Sequence, residues 1–147
     1  MTNSLSAKIS LWCGRILSAG ILGLCLGMYP LLKWYCAFRS LPWQVGMAIL
    51  AGFYLCVPAI LYALWCMEGL LRNILATQVF VTDNVRFIRR IRWCCAGVSL
   101  VCLAVGVLYQ PLVFLAVIMA FLALIVSVVK NVIAAAVELR EENDLTI

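Results

Sequence analysis

Between Arg39 and Glu68, and again between Arg92 and Lys130, the chain carries no Asp, Glu, Lys or Arg. A charge-free apolar run of about 18 residues or more is long enough to cross the hydrocarbon core of a bilayer as a helix. The second gap, residues 93–129, has room for two crossings. Tyr109, Gln110 and Pro111 supply the turn between them, because Pro disfavours helix in the residue before it. Another apolar run precedes Lys33; no small-x-small cleavage site follows it, so it is expected to stay as a mature helix rather than leave as a signal peptide. The pattern predicts an all-α, polytopic integral membrane protein with one membrane domain and four transmembrane helices, at residues 11–32, 43–67, 93–108 and 112–130. Pro58 should kink the second, and Trp43 and Trp65 should anchor its ends at the interfaces.

The polar positions outside these runs predict two further pieces. Past Glu68 the apolar pattern continues the second helix, and a break is expected at residues 77–81. Thr82 reads as an N-cap, with Asp83 in the first turn against the positive end of a new helix. On that helix Asp83, Arg86, Arg89 and Arg90 share one face and Phe87, Ile88 and Ile91 the other. The 68–92 loop should therefore contain an amphipathic lead-in helix at the membrane surface. After Leu112 neither Gly nor Pro interrupts the fourth helix, so it should protrude as a C-terminal helix over 131–142. Glu138 and Glu141 project to the same side as Ala116, Ala120, Ala123 and Ser127. A charge clasp between these glutamates and Arg86, Arg89 and Arg90 is one expectation; a solvated tail is the other. Thr82, Asp83, Asn84, Arg86, Arg89, Arg90, Glu138, Glu141 and Glu142 are the candidate interaction residues.

Charge sets the sidedness. Lys8, Arg15, Arg72, Arg86, Arg89, Arg90, Arg92, Lys130 and Arg140 fall on one face, against Lys33 and Arg39 on the other. By the positive-inside rule both termini and the 68–92 loop face the cytoplasm of a cell-membrane protein. The net charge of +5 is best explained by anionic headgroups beside the basic cluster, and no direct nucleic-acid binding is expected. At 67% apolar and 12% charged residues there is no soluble mass for a separate catalytic domain. Small residues recur along each span: Ala19, Gly23 and Gly27; Ala48 and Gly52; Cys95, Ser99, Cys102 and Gly106; and the Ala116 series. They predict close helix packing, within a four-helix bundle or at the seam of a homo-oligomer. Eight cysteines without a CxxC, in a chain with no histidine, lack metal-site spacing and read as small hydrophobes, so no cofactor is expected. No Asp, Glu, Lys, Arg or His sits central in a span, so neither a catalytic constellation nor a proton relay is visible.

Phe80, Val81, Thr82, Asp83, Asn84, Ile88 and Ile91, with the closing run Glu141, Glu142, Asn143, Asp144, Leu145, Thr146 and Ile147, resemble the signature of an uncharacterised bacterial family of four-span membrane proteins. Val79 stands where many members have Pro. The resemblance covers essentially the whole chain and implies fold, orientation and bacterial origin but no activity. It also implies a partner class, since genes for such proteins often lie beside small Xre/Cro-like helix-turn-helix regulators. The function expected is that of a non-enzymatic membrane regulator that binds a partner through its cytosolic face. The alternative is a small transporter, exporter accessory or immunity protein acting as an oligomer, which would require a polar seam along a span.

Overall fold

The computed structural model describes residues 2–76 and 81–146, with side chains from residue 5 onward. It is all-helical: α1 (Thr2–Arg39), α2 (Trp43–Leu75), α3 (Thr82–Gly106) and α4 (Pro111–Leu145). Each boundary has a local cause. α1 stops at a turn in which Ser40 takes a φ of 51°, and Pro42 then precedes α2. α2 runs past Glu68 to Leu75, as its apolar pattern predicts, and closes on Ala76, whose N–H donates to the Arg72 carbonyl at 3.0 Å. The expected break at 77–81 lies largely outside the described residues. α4 opens with Pro111 in its first turn, where a missing N–H costs nothing, and continues unbroken to Leu145.

α1, α2 and α4 are long and apolar enough to cross a membrane, which is consistent with residence in one. α3 is not among them, so of the four spans expected from the sequence three are supported by length and hydropathy. Arg89, Arg90 and Arg92 crowd its first half, and it ends at Gly106. Its charge-free stretch, residues 93–106, is about 21 Å long at 1.5 Å per residue, against a hydrocarbon core of roughly 30 Å.

The helices alternate in direction and pack in chain order, α1 on α2, α2 on α3 and α3 on α4; among the described residues no other helix pair approaches closely. This is a row rather than the closed four-helix bundle expected. Its core lies in the last three helices, where Cys56, Val98, Cys102 and Ala116 are buried together with Ala59, Ile60, Val101 and Met119 against them. Gly52 lets α2 and α3 approach, since a Cβ there would stand 2.8 Å from Val105 Cγ2. The α1 stripe behaves differently. Gly23 and Gly27, and Gly20 beside them, have nothing within 4 Å of an added Cβ, so among the described residues no other helix packs against these glycines.

α1 is held at three levels. Arg15 reaches Glu68 of α2, the Tyr54 hydroxyl donates to the Cys25 carbonyl at 2.8 Å, and the Tyr35 hydroxyl hydrogen-bonds that of Tyr109 in the α3–α4 turn. The tight turns at 40–42 and 107–110 therefore lie at one end of the row. The Arg15, Glu68 and Asn84 side chains lie at the other.

Candidate functional site

The end carrying the junction of α2 and α3 gathers most of the chain's polar side chains. Because α1 and α2 are antiparallel, Arg15 comes level with Glu68. Arg15 Nη2 donates to Glu68 Oε1 at 3.0 Å, and Arg72 Nη2, one turn further along α2, donates to the same oxygen at 2.7 Å. Arg15 first, then Arg72, holds the Glu68 carboxyl below its ordinary range. Two guanidiniums on one carboxylate oxygen clamp α1 to α2 at this level. Because the folded pKa of Glu68 is depressed, the clamp is fully present at neutral pH and is lost only as pH falls through that lowered value.

α3 begins one residue earlier than a Thr82 cap requires. Val81 is the extended residue before the helix (φ −124°, ψ 143°), its carbonyl accepts the Asn84 N–H at 3.0 Å, and no side chain caps the end. Thr82 is exposed in the first turn, and Asp83 pairs with Arg86 at 3.6 Å on the solvent side. Arg89 and Arg90 are exposed on the same helix, as their amphipathic pattern predicts, and among the described residues neither has a carboxylate partner.

Asn84 departs from its expected place in the interaction surface. It is 1% exposed, and its Oδ1 accepts Asn73 Nδ2 at 2.8 Å. Four residues separate Asn84 from Ile88, so the two share the buried face of α3, with Val85 beside them. A buried amide facing a second amide at the end of the preceding helix is a lock across the α2–α3 connection. The i, i+4 spacing to Ile88 is the sequence signal that could have marked it as inward-facing. Close by, Phe87 packs over Gly69, whose added Cβ would meet the ring at 3.1 Å.

Glu138, Glu141 and Glu142 are exposed on the last turns of α4. The expected clasp does not form: among the described residues no ion pair joins them to Arg86, Arg89 or Arg90. At this level the residue that α4 buries is Val137, which turns Glu138 to the side of the interface, while the arginines lie opposite the buried face of α3. The basic and acidic groups thus stand as separate exposed surfaces at one end of the molecule.

Within the row, polar groups serve packing. Ser99 Oγ donates to the Ala116 carbonyl at 2.9 Å, and Ser18 Oγ to the Gly14 carbonyl at 2.9 Å. All eight cysteines are free thiols, and among the described residues no three His, Cys, Asp or Glu side chains gather as metal ligands would. Arg92 is the exception that the sequence reading left among generic basic residues. It is half-buried, 3.4 Å from Ser127 Oγ, with its guanidinium 5.5 Å from the Trp93 ring centre.

Residues 27–147 match the family described as "Protein of unknown function (DUF2975)". The chain belongs to this family. The matched region begins at Gly27, late in α1, and takes in α2, α3 and α4 entire. The Asn73–Asn84 lock, the exposed arginines, the Arg92 side chain and the acidic end of α4 are all inside it, whereas Arg15 precedes it. No curated protein and no solved structure matches the chain.

Proposed function

We propose that this DUF2975 protein is a bacterial, non-enzymatic cell-membrane protein that docks a cytosolic regulator at the α2–α3 end. The reading places four crossings with both termini in the cytoplasm, α3 crossing as a short span whose arginines reach the interface on their flexible stems. Two observations support that arrangement: the uneven distribution of Lys and Arg, and the Tyr35–Tyr109 bond, which brings the far end of α3 level with that of α1. Reporter fusions after residue 147 and within residues 33–39 are expected to report opposite sides, with the C-terminal fusion cytoplasmic. A C-terminal fusion on the outer side leaves α3 as a non-crossing helix and overturns the orientation.

The observation that carries the docking role is the pair of exposed, oppositely charged surfaces, basic on α3 and acidic on α4, at the end of the row where Asn73 bonds Asn84. An Xre/Cro-like helix-turn-helix regulator is the partner of matching chemistry, because its DNA-reading surface is basic and the acidic end of α4 presents Glu138, Glu141, Glu142 and Asp144. Occupation of that surface would hold the regulator at the membrane and away from DNA. An Xre/Cro-like regulator from the same genome, fused to a fluorescent protein, is expected to concentrate at the membrane when the two are co-expressed. Changing Glu138, Glu141 and Glu142 to Lys is expected to release most of it. A regulator that stays cytosolic beside the unaltered protein, or is retained equally by the lysine variant, refutes the reading.

A further inference from the structure

A groove of about 490 Å³ runs between α3 and α4 on the side of the row away from α2's core contacts. Its walls are apolar and stepped back by small side chains, Ala96 on α3 and Ala120 and Ala123 on α4. Ser99 also lines it, but its hydroxyl is committed to the Ala116 carbonyl. The groove is open along its length, with Trp93, Leu100 and Leu124 exposed on its lips. Between helices that lie in a membrane, such a slot faces lipid tails.

Its polar end is built differently. Arg92 stands there, steadied by Ser127 Oγ and the Trp93 ring, and is only partly exposed. Lys130 follows Ser127 by three residues and so lies on the same face of α4, one turn nearer the helix end that carries the acidic tail. Among the described residues neither cation has a carboxylate partner. A guanidinium fork offers two parallel donors suited to a phosphate. A zwitterionic headgroup would bring its own cation against these two charges; an anionic one would not. We infer that this groove is a binding site for one anionic glycerophospholipid, its phosphate on Arg92 and Lys130 and an acyl chain along Ala96, Ala120 and Ala123. The lipid belongs to the cytoplasmic leaflet, which rests on the orientation proposed above. Basic sites between transmembrane helices on that side are where anionic headgroups are held.

Trp93 on the groove's lip gives the readout. In full-length protein with Trp12, Trp34, Trp43 and Trp65 changed to Phe, reconstituted in nanodiscs, phosphatidylglycerol with brominated chains is expected to quench Trp93 at roughly tenfold lower mole fraction than brominated phosphatidylcholine. Arg92→Gln with Lys130→Gln is expected to remove that preference and leave quenching by phosphatidylcholine unchanged. Ala120→Leu with Ala123→Leu, which fills the groove and keeps both charges, is expected to remove it as well, and decides the matter if the charge variant fails to fold. Equal quenching by the two lipids overturns the site. So does a preference that survives groove filling, which marks diffuse attraction to the surface. In a chain whose eight native cysteines are changed to Ser, an Ala120→Cys disulfide between two copies with no lipid preference shows instead that a second chain occupies the groove. Both leaflets of the nanodisc have the same composition, so a reversed topology leaves the result intact and fails only in the reporter fusions.

Discussion

Replacing Asn84 with Ala should loosen the α2–α3 connection far more than any change on the exposed arginine face. The variant deletes a side chain that is 1% exposed and strands the Asn73 amide it accepts from at 2.8 Å. Loss of a buried hydrogen bond that leaves its partner unsatisfied costs about 1–3 kcal/mol, which corresponds to roughly a fivefold to 150-fold rise in the population of the opened end. Limited proteolysis reads that population directly when opening is fast compared with cleavage. Cleavage in residues 76–81 is therefore expected to accelerate over that range. Asn73→Ala should cost a comparable amount, because it takes this donor away from the Asn84 Oδ1, which is too deeply buried for water to replace it. The double variant should cost less than the two single costs summed, since one bond cannot be lost twice. An Asn84→Ala protein cleaved at the unaltered rate would show that the lock holds nothing.

The same residue shows where the sequence stops being legible. The charge-free gaps and the uninterrupted run after Leu112 predict α2 and α4 closely, because span length and the absence of Gly or Pro are local properties. The exposed face of α3 is legible for the same reason: Asp83, Arg86, Arg89 and Arg90 repeat with helical spacing. Asn84 was assigned to that surface because polarity was read ahead of position. Its spacing to Ile88 marks the buried face, but its partner at residue 73 is one that no periodicity reveals. α3 falls short of the other three in apolar length because the turn at 107–110 takes its share of the gap between Arg92 and Lys130 and leaves only residues 93–106 of the helix free of charge. The clasp failed for a tertiary reason. Shared sidedness along α4 does not fix which of Val137 and Glu138 meets α3, and burial selects Val137. The Arg92 groove combines both cases. Its small residues and its arginine are visible as a pattern, but the slot exists only because α3 and α4 are neighbours and α4 has no further helix on that side.

Glycine makes the sharpest comparison between helix positions that look alike in sequence. Gly106 ends α3 and is buried; a Cβ there would stand 2.8 Å from Val113 Cγ2 and 3.1 Å from the Val113 backbone nitrogen. That nitrogen is fixed, because its N–H donates to the Gln110 carbonyl at 3.0 Å within the turn that returns the chain into α4. Gly106→Leu therefore has to pry α3 from α4 at the hairpin. Overpacking of this kind costs about 1–3 kcal/mol, and at this position it should also part Tyr109 from Tyr35 at the adjoining turn. Gly23→Leu is the matched control. Nothing lies within 4 Å of its added Cβ, and a helix interior gains about 0.5–1 kcal/mol when Gly is replaced by a better helix former. Thermal unfolding of the detergent-solubilised protein, followed by tryptophan emission, is expected to fall by several degrees for Gly106→Leu and to hold or rise for Gly23→Leu. Equal losses at both positions would mean that the α1 glycine face is covered by a neighbour. Equal retention at both would mean that the α3–α4 hairpin is not closed as described.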